Sequence, residues 1–277
     1  MPFEPTYGTT HNEGCDLKFW HQGSGPLLML VPGGGGIGRQ YNRLFEYLAD
    51  SYHVCTLDRR QNGGSTVEQG KYTFLNPAQQ ARDVIAVMKA LGCEKMHYYG
   101  NSGGGIIGLT LAVNYPQYLS HIISHEAPTI SLLPDAVDLT EWTYGTLALY
   151  KEKGSAAAWN SFAGMLTGYE DLAPGEDPSS EDKSNFWQWE YIVFNTWCPD
   201  LRRIRTNNVS IAVAVGKDSK DAWYARTVKE HKDIIQCPYY VFPGPHTGFW
   251  YYPKDFAQSL KTVFNDLETG KAKNNAH

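Results

Sequence analysis

Residues 95–104 read KMHYYGNSGG, an apolar run that ends in glycine and passes through Asn101 and Ser102 into two more glycines. Lys95–Gly100 is expected to be a buried strand. Gly103–Tyr115, rich in small and apolar residues, is expected to be a helix. Gly100-Asn101-Ser102-Gly103-Gly104 is then a G-x-S-x-G turn joining the two. A serine on so sharp a turn is held in a strained backbone conformation, and glycine neighbours leave room for the turn and for close helix–strand packing. The helix amino end also points free N–H groups at the serine. These features mark Ser102 as a candidate nucleophile. The competing reading is a glycine-rich turn whose serine merely caps the helix.

Outward from this turn, short apolar runs alternate with helical patterns. Pro26–Pro32, Tyr52–Asp58, His121–Glu126, Val209–Gly216 and Tyr239–Gly244 read as further strands. Asn76–Leu91 carries Ala81, Val84, Ile85, Val87, Met88 and Leu91 at helical spacing, and Asp255–Leu267 reads as a terminal helix. The alternation implies an α/β fold: a mostly parallel central sheet flanked by helices, with right-handed crossovers. The stretch between about Pro128 and Asn208 departs from it. That stretch holds Trp142, Trp159, Trp187, Trp189 and Trp197, five of the eight tryptophans, and an acidic loop at Ala173–Asp182. The expected organisation is a core of residues 1–128 and 208–269, a helical cap of residues 129–207 over the carboxyl ends of the strands, and a disordered tail at 270–277.

A serine hydroxyl needs a base at neutral pH. His246, in Pro243-Gly244-Pro245-His246-Thr247-Gly248, follows the last strand and so falls at the same sheet edge as Ser102. His53 and His97 sit inside strands, His11 and His21 precede the first core strand, His231 is in a helical stretch and His277 in the tail. A third group must fix the imidazole tautomer. Two carboxylates compete, Glu126 after the fourth strand and Asp218 after the fifth. Position alone slightly favours Asp218. A carboxylate flanked by apolar residues, as Glu126 is, needs a partner to offset its desolvation. Pro32-Gly33-Gly34-Gly35-Gly36 offers backbone N–H donors for an oxyanion, with Gly103 N–H as a second source. Gly33-x-Gly35-x-x-Gly38 also fits a dinucleotide fingerprint, but Asp58 is followed by Arg59 and Arg60 rather than cleanly ending its strand.

Composition narrows the function classes. Of 277 residues, 42% are apolar and 19% charged, as in ordinary globular proteins. A net charge of −5, a pI near 6.0 and no block of like charge argue against nucleic acid as a partner. No apolar run approaches the roughly 20 residues that cross a bilayer, and no secretory leader is visible. Cys15, Cys55, Cys93, Cys198 and Cys237 are odd in number and match no disulfide or zinc pattern, so reduced thiols and a cytoplasmic location are expected. Neither a metal nor an organic cofactor is called for, and the expected partner is a small-molecule substrate. The oligomeric state is open, a homodimer included.

Together these residues resemble the α/β-hydrolase superfamily over roughly Asp16–Leu267. Asp58-x-Arg60-x-x-Gly63-x-Ser65 resembles the loop after the fourth family strand, with Gln61 where glycine is usual. More narrowly, Val31-Pro32-Gly33-Gly34, Gly100-x-Ser102-x-Gly104, Ser124-His125-Glu126-x-Pro128 and His246-x-Gly248-Phe249 resemble a microbial subgroup that includes the zearalenone lactone hydrolases, which share the pattern at His125–Thr129. That resemblance implies Glu126 as the acid of the triad and Gly34 and Gly103 as oxyanion donors. Serine at position 102 also sets the chain apart from haloalkane dehalogenases and epoxide hydrolases, which place aspartate there. The implied activity is a serine esterase or lactonase. Carbon–carbon bond hydrolysis, acyl transfer, perhydrolysis and a non-catalytic ligand receptor are the alternatives. The aromatic-rich cap suggests a bulky apolar or aromatic substrate, with Gly33, Gly35, Trp187, Trp189 and Tyr191 as its contacts. Because those three aromatics alternate along a helical stretch, they cannot all face one side.

Overall fold

The computed structural model describes residues 2–172 and 184–270. The acidic loop expected at 173–182, and all of the expected tail except Gly270, lie outside the described residues. A central sheet contains β1 (Thr6–Asn12), β2 (Cys15–Gln22), β3 (Leu27–Val31), β4 (His53–Leu57), the short β5 (Thr66–Val67), β6 (Met96–Asn101), β7 (Leu119–His125), β8 (Ile211–Gly216) and β9 (Tyr239–Phe242). Their order is β1-β2-β4-β3-β6-β7-β8-β9, with β5 paired to β2. From β4 to β9 every pairing is parallel, whereas β1, β2 and β5 are joined antiparallel. This matches the mostly parallel sheet expected from sequence.

The central strands are buried because both faces are covered. β3, β6 and β8 are buried at every residue, as parallel strands between helical layers must be. On one face lie α2 (Pro77–Ala90), α3 (Gly103–Asn114) and α8 (Trp223–Ile235), whose Val84, Ile106 and Val228 pack with Met29 and Ile122. On the other lie α1 (Asn42–Leu48) and α10 (Pro253–Thr269), whose Phe45, Phe256 and Leu260 pack with Leu30 and Tyr99. α2 starts where the sequence dictates: the Asn76 side chain accepts the Ala78 N–H at 2.7 Å, and Pro77 occupies the first turn.

The hairpin of β1 and β2 carries no apolar run in the sequence: β1 forms the sheet edge and is largely exposed, and β2 mixes apolar with polar residues. A buried pair fastens it. Arg60 binds Asp83 of α2 through two bonds of 2.6 and 2.9 Å and also donates to the Asn12 and Glu13 carbonyls. Gln61, the departure from the family pattern, has φ 65° and closes a loop by exchanging two side-chain bonds with the Thr73 backbone.

Between β7 and β8 the chain forms α4 (Ala136–Lys153), α5 (Ser155–Ala163), a π-helical turn at Phe186–Glu190, α6 (Tyr191–Thr196) and α7 (Arg202–Thr206). A short α9 (Gly248–Tyr251) follows β9. Among the described residues no helix is long and apolar enough to cross a membrane. All five cysteines are unpaired, and Cys15, Cys55 and Cys237 are buried.

Candidate active site

Ser102 stands between β6 and α3 with φ 56° and ψ −122°, a conformation that L-residues rarely adopt. Its N–H donates to the His125 carbonyl at 2.8 Å. The surrounding glycines are there for contact. A Cβ on Gly104 would lie 2.1 Å from the Val31 carbonyl oxygen, and one on Gly100 would lie 2.3 Å from the Gly104 oxygen. α3 therefore meets the sheet so closely that only hydrogen fits.

His246 follows β9, and its Nδ1 lies 2.6 Å from Glu126 Oε2. Glu126, which directly follows β7 with φ 49°, is wholly buried, and its other oxygen accepts the Gly216 N–H at 2.8 Å. Burial works to raise the Glu126 carboxyl. Hydrogen bonds from His246 and from the Gly216 N–H work against it, and the carboxyl is held below the usual glutamate value. Asp218 is half-buried in the turn after β8. Its N–H donates to the Gly244 carbonyl, and its Cβ and carbonyl pack against Gly168. Of the two carboxylates that the sequence left in competition, Glu126 is the one bonded to His246.

The histidine loop is braced from three sides. Asn101 Nδ2 donates to the His246 carbonyl at 2.9 Å, tying the serine turn to the histidine turn. Tyr169 Oη accepts the Thr247 N–H at 3.1 Å. The Tyr224 ring lies 4.5 Å from the imidazole, centroid to centroid. Behind the site, His125 Nδ1 faces the Tyr99 hydroxyl and the Asn101 amide, at 3.2 and 3.0 Å, so the ring is in its neutral form with the proton on Nε2. Desolvation pushes its pKa down to about 4.

Ser102 and His246 line one cavity of about 400 Å³, within the usual range for a small-molecule site. Gly33, Gly34 and Gly35 form one wall. The Gly34 and Gly103 N–H groups make no bond to protein among the described residues, whereas Gly35 N–H donates to Glu190 Oε2 at 3.1 Å. The aromatic wall differs from the one expected. Trp187, Trp189 and Tyr191 do not line the cavity; Trp159, Phe162, Phe186 and Phe194 do. Trp187 and Tyr191 are wholly buried within the helical layer, packed on each other and on Phe186. Trp189 points the other way and packs on Tyr72 and Phe74. The π-helical turn redistributes these side chains, so Phe186 and Phe194 present their rings to the site.

Glu190, Arg59 and Asn62, all buried behind the glycine wall, carried no pattern in the sequence that would have singled them out. Asp58, the carboxylate directly after the strand that follows the glycine run, is consumed by the N–H groups of Gly38 and Gly64 at 3.0 and 2.8 Å. Among the described residues no group of three or more His, Cys, Asp or Glu side chains could hold a metal ion.

The profile of a family described as the alpha/beta hydrolase fold matches residues 26–203. The chain is 24% identical over 257 residues to an uncharacterized hydrolase, YraK, of Bacillus subtilis, covering 91% of this chain and 94% of that one. It superposes on a thermophilic esterase from Thermogutta terrifontis with a TM-score of 0.72 at 19% identity, over 95% of this chain and 99% of the other. Est816, described as an N-acyl homoserine lactone degrading enzyme, gives a TM-score of 0.71 at 18% identity, over 92% and 99%. At such identities the two superpositions speak for the fold alone.

Proposed function

Because this chain belongs to the α/β-hydrolase fold family, we propose that it is a serine hydrolase that cleaves a carboxylic ester or lactone through an acyl-enzyme. The observation that carries this reading is the 2.6 Å bond from His246 to a wholly buried Glu126, behind a cavity that Ser102 and His246 line together.

The mechanism follows from the bonding. Glu126 holds the proton on His246 Nδ1, which leaves Nε2 free to take the Ser102 proton as Oγ attacks the ester carbonyl. The Gly34 and Gly103 N–H groups, without protein acceptors among the described residues, receive the oxyanion, as expected for donors kept ready for the transition state. His246 then returns the proton to the leaving alkoxide. Water, activated by the same imidazole, releases the acid.

A substrate with a bulky apolar or aromatic part suits the rings of Trp159, Phe162, Phe186 and Phe194. The lactone option draws on the His125-Glu126-x-Pro128-Thr129 resemblance to zearalenone lactone hydrolases. Residues 129–207 act as the cap, since most of the aromatic lining comes from them. Five unpaired cysteines suit a reducing, cytoplasmic setting.

Ser102→Ala tests the reading. With an aryl ester as substrate, kcat should fall by up to roughly 10⁶-fold. Turnover equal to the parent would overturn it.

A further inference from the structure

Glu190 is a negative charge with no exposure to solvent, 88 residues along the chain from the serine and outside the triad. Its Oε2 accepts from Gly35 N–H at 3.1 Å and from Arg59 Nη2 at 2.8 Å, and its Oε1 accepts from Asn62 Nδ2 at 2.6 Å. Arg59 is itself almost fully buried. It donates to the Pro32 carbonyl through Nε at 2.9 Å, to the Gly33 carbonyl through Nη2 at 2.5 Å, and to Gln80 Oε1. The Arg59 N–H also donates to the Gly36 carbonyl at 2.7 Å. Every peptide flanking Gly34 in the glycine wall is therefore tied to this one ion pair, and Gly34 N–H is the donor left over.

The same short segment presses on that wall a second way. Phe186 lies on Gly34 so closely that a Cβ there would come within 2.6 Å of its ring. Phe186 and Glu190 are the two ends of the π-helical turn. Its i→i+5 closure, Tyr191 N–H to the Phe186 carbonyl, sets both side chains on the side that faces the glycines. Asn185 adds a bond of 2.7 Å to Asn62 Oδ1.

We infer that Glu190 is a positioning residue: through Gly35 and Arg59 it fixes the glycine wall so that Gly34 N–H points at the developing oxyanion, and it makes the segment from Asn185 to Glu190 part of the oxyanion site rather than a movable cover. This rests on the esterase reading above. Attraction within a buried ion pair is largely offset by desolvation, so net stability alone is a weak reason to bury one here. Geometry is the stronger one, because an oxyanion donor acts only when held in place before the charge develops.

The test compares Glu190→Gln and the milder Asn62→Ser with the parent and with Asp83→Asn. Asp83→Asn breaks the equally buried Arg60–Asp83 pair, which makes no bond to the glycine wall. Each is assayed for hydrolysis of an aryl ester, for inhibition by an aryl trifluoromethyl ketone, which binds as a tetrahedral oxyanion mimic, and for melting temperature. Glu190→Gln should lose roughly tenfold to a hundredfold in kcat with little change in KM, short of the loss typical for deleting a donor outright. Affinity for the ketone should fall in proportion, and Asn62→Ser should show the same pattern more weakly. Asp83→Asn should lower the melting temperature and leave kcat alone. The inference is overturned if both wall variants keep the parental kcat and ketone affinity, or if kcat follows melting temperature alike in all three variants. If Glu190→Gln does not fold, Asn62→Ser decides by the same readouts. A parent enzyme that hydrolyses no ester and binds no ketone would instead count against the esterase reading itself.

Discussion

Glu126 Oε2 and His246 Nδ1 are 2.6 Å apart although 120 residues separate them in the chain. Two strand ends bring them together: Glu126 N–H pairs with the Ala214 carbonyl of β8, and the His246 carbonyl takes the Asn101 amide at the end of β6. The pair is thus built into the sheet edge itself.

Replacing that carboxylate by an amide should keep the shape and lose the function. Glu126→Gln is expected to lower kcat by about 10³- to 10⁴-fold, the cost seen when such an imidazole loses its orienting anion. Asp218→Asn, whose carboxylate bonds to no imidazole among the described residues, should leave kcat as it is. Steady-state kinetics on the two variants checks this, and the reverse order of effects would move the acid to Asp218.

Acid should destabilise the fold well above the carboxylate range. Desolvation depresses the pKa of three buried histidines from 6.5: His97 and His125 to about 4, His231 to about 3. A neighbouring His121 adds to the effect at His97, and His246 adds to it at His125. A depressed folded value means that the unfolded chain takes up protons first. The stability these groups contribute is therefore complete above pH 6.5 and is lost as the pH falls toward their folded values. Glu126, also held low, adds to the loss below its ordinary value of 4.5. Melting temperature should be level near pH 7–8 and decline from about pH 6.5 downward. A level profile to pH 4.5 would contradict it.

The aromatic residues should separate by role. Trp187→Ala empties a wholly buried site and is expected to cost about 3–5 kcal/mol of stability, read from the urea midpoint. Phe162→Ala, in the cavity wall, should raise KM for bulky aryl esters more than for acetate esters. Trp189→Ala should change neither constant, because its ring packs on Tyr72 and Phe74 away from the cavity.

Gly104→Ala should damage the fold rather than the chemistry alone. The added methyl would meet the Val31 carbonyl oxygen at 2.1 Å, with backbone on both sides and no flexible side chain to yield. A loss of about 1–3 kcal/mol or more is expected. Unchanged thermal stability would show that α3 can move off the sheet.

Much of the fold is legible in the sequence. The turn that carries Ser102 is legible because strand, glycine turn and helix are all local patterns, and the place of His246 at the same sheet edge because it follows the last apolar run. The inner strands are legible because they are covered on both faces and carry mainly apolar residues; β7, for instance, is expected at His121–Glu126 and spans Leu119–His125. The β1–β2 hairpin is not legible because β1 is largely exposed and β2 alternates buried with more exposed residues along its first half, so neither carries an apolar run. The choice between Glu126 and Asp218 could not be made from position, since both end neighbouring strands and only the three-dimensional register decides which one reaches the imidazole. Glu190 and Arg59 were invisible for a related reason: a buried charge looks like a surface charge until its partner is known. The cavity aromatics were misassigned because a π-helical turn shifts the side-chain register, and no simple periodicity announces it.

The proposed nucleophile, Ser102, is tested most directly by labelling with an aryl fluorophosphonate, followed by intact-mass measurement and peptide mapping. One adduct per chain on the peptide holding Ser102, absent from Ser102→Ala, is the result expected. An enzyme that hydrolyses aryl esters yet carries its adduct elsewhere, or a Ser102→Ala variant that labels and turns over like the parent, would contradict it.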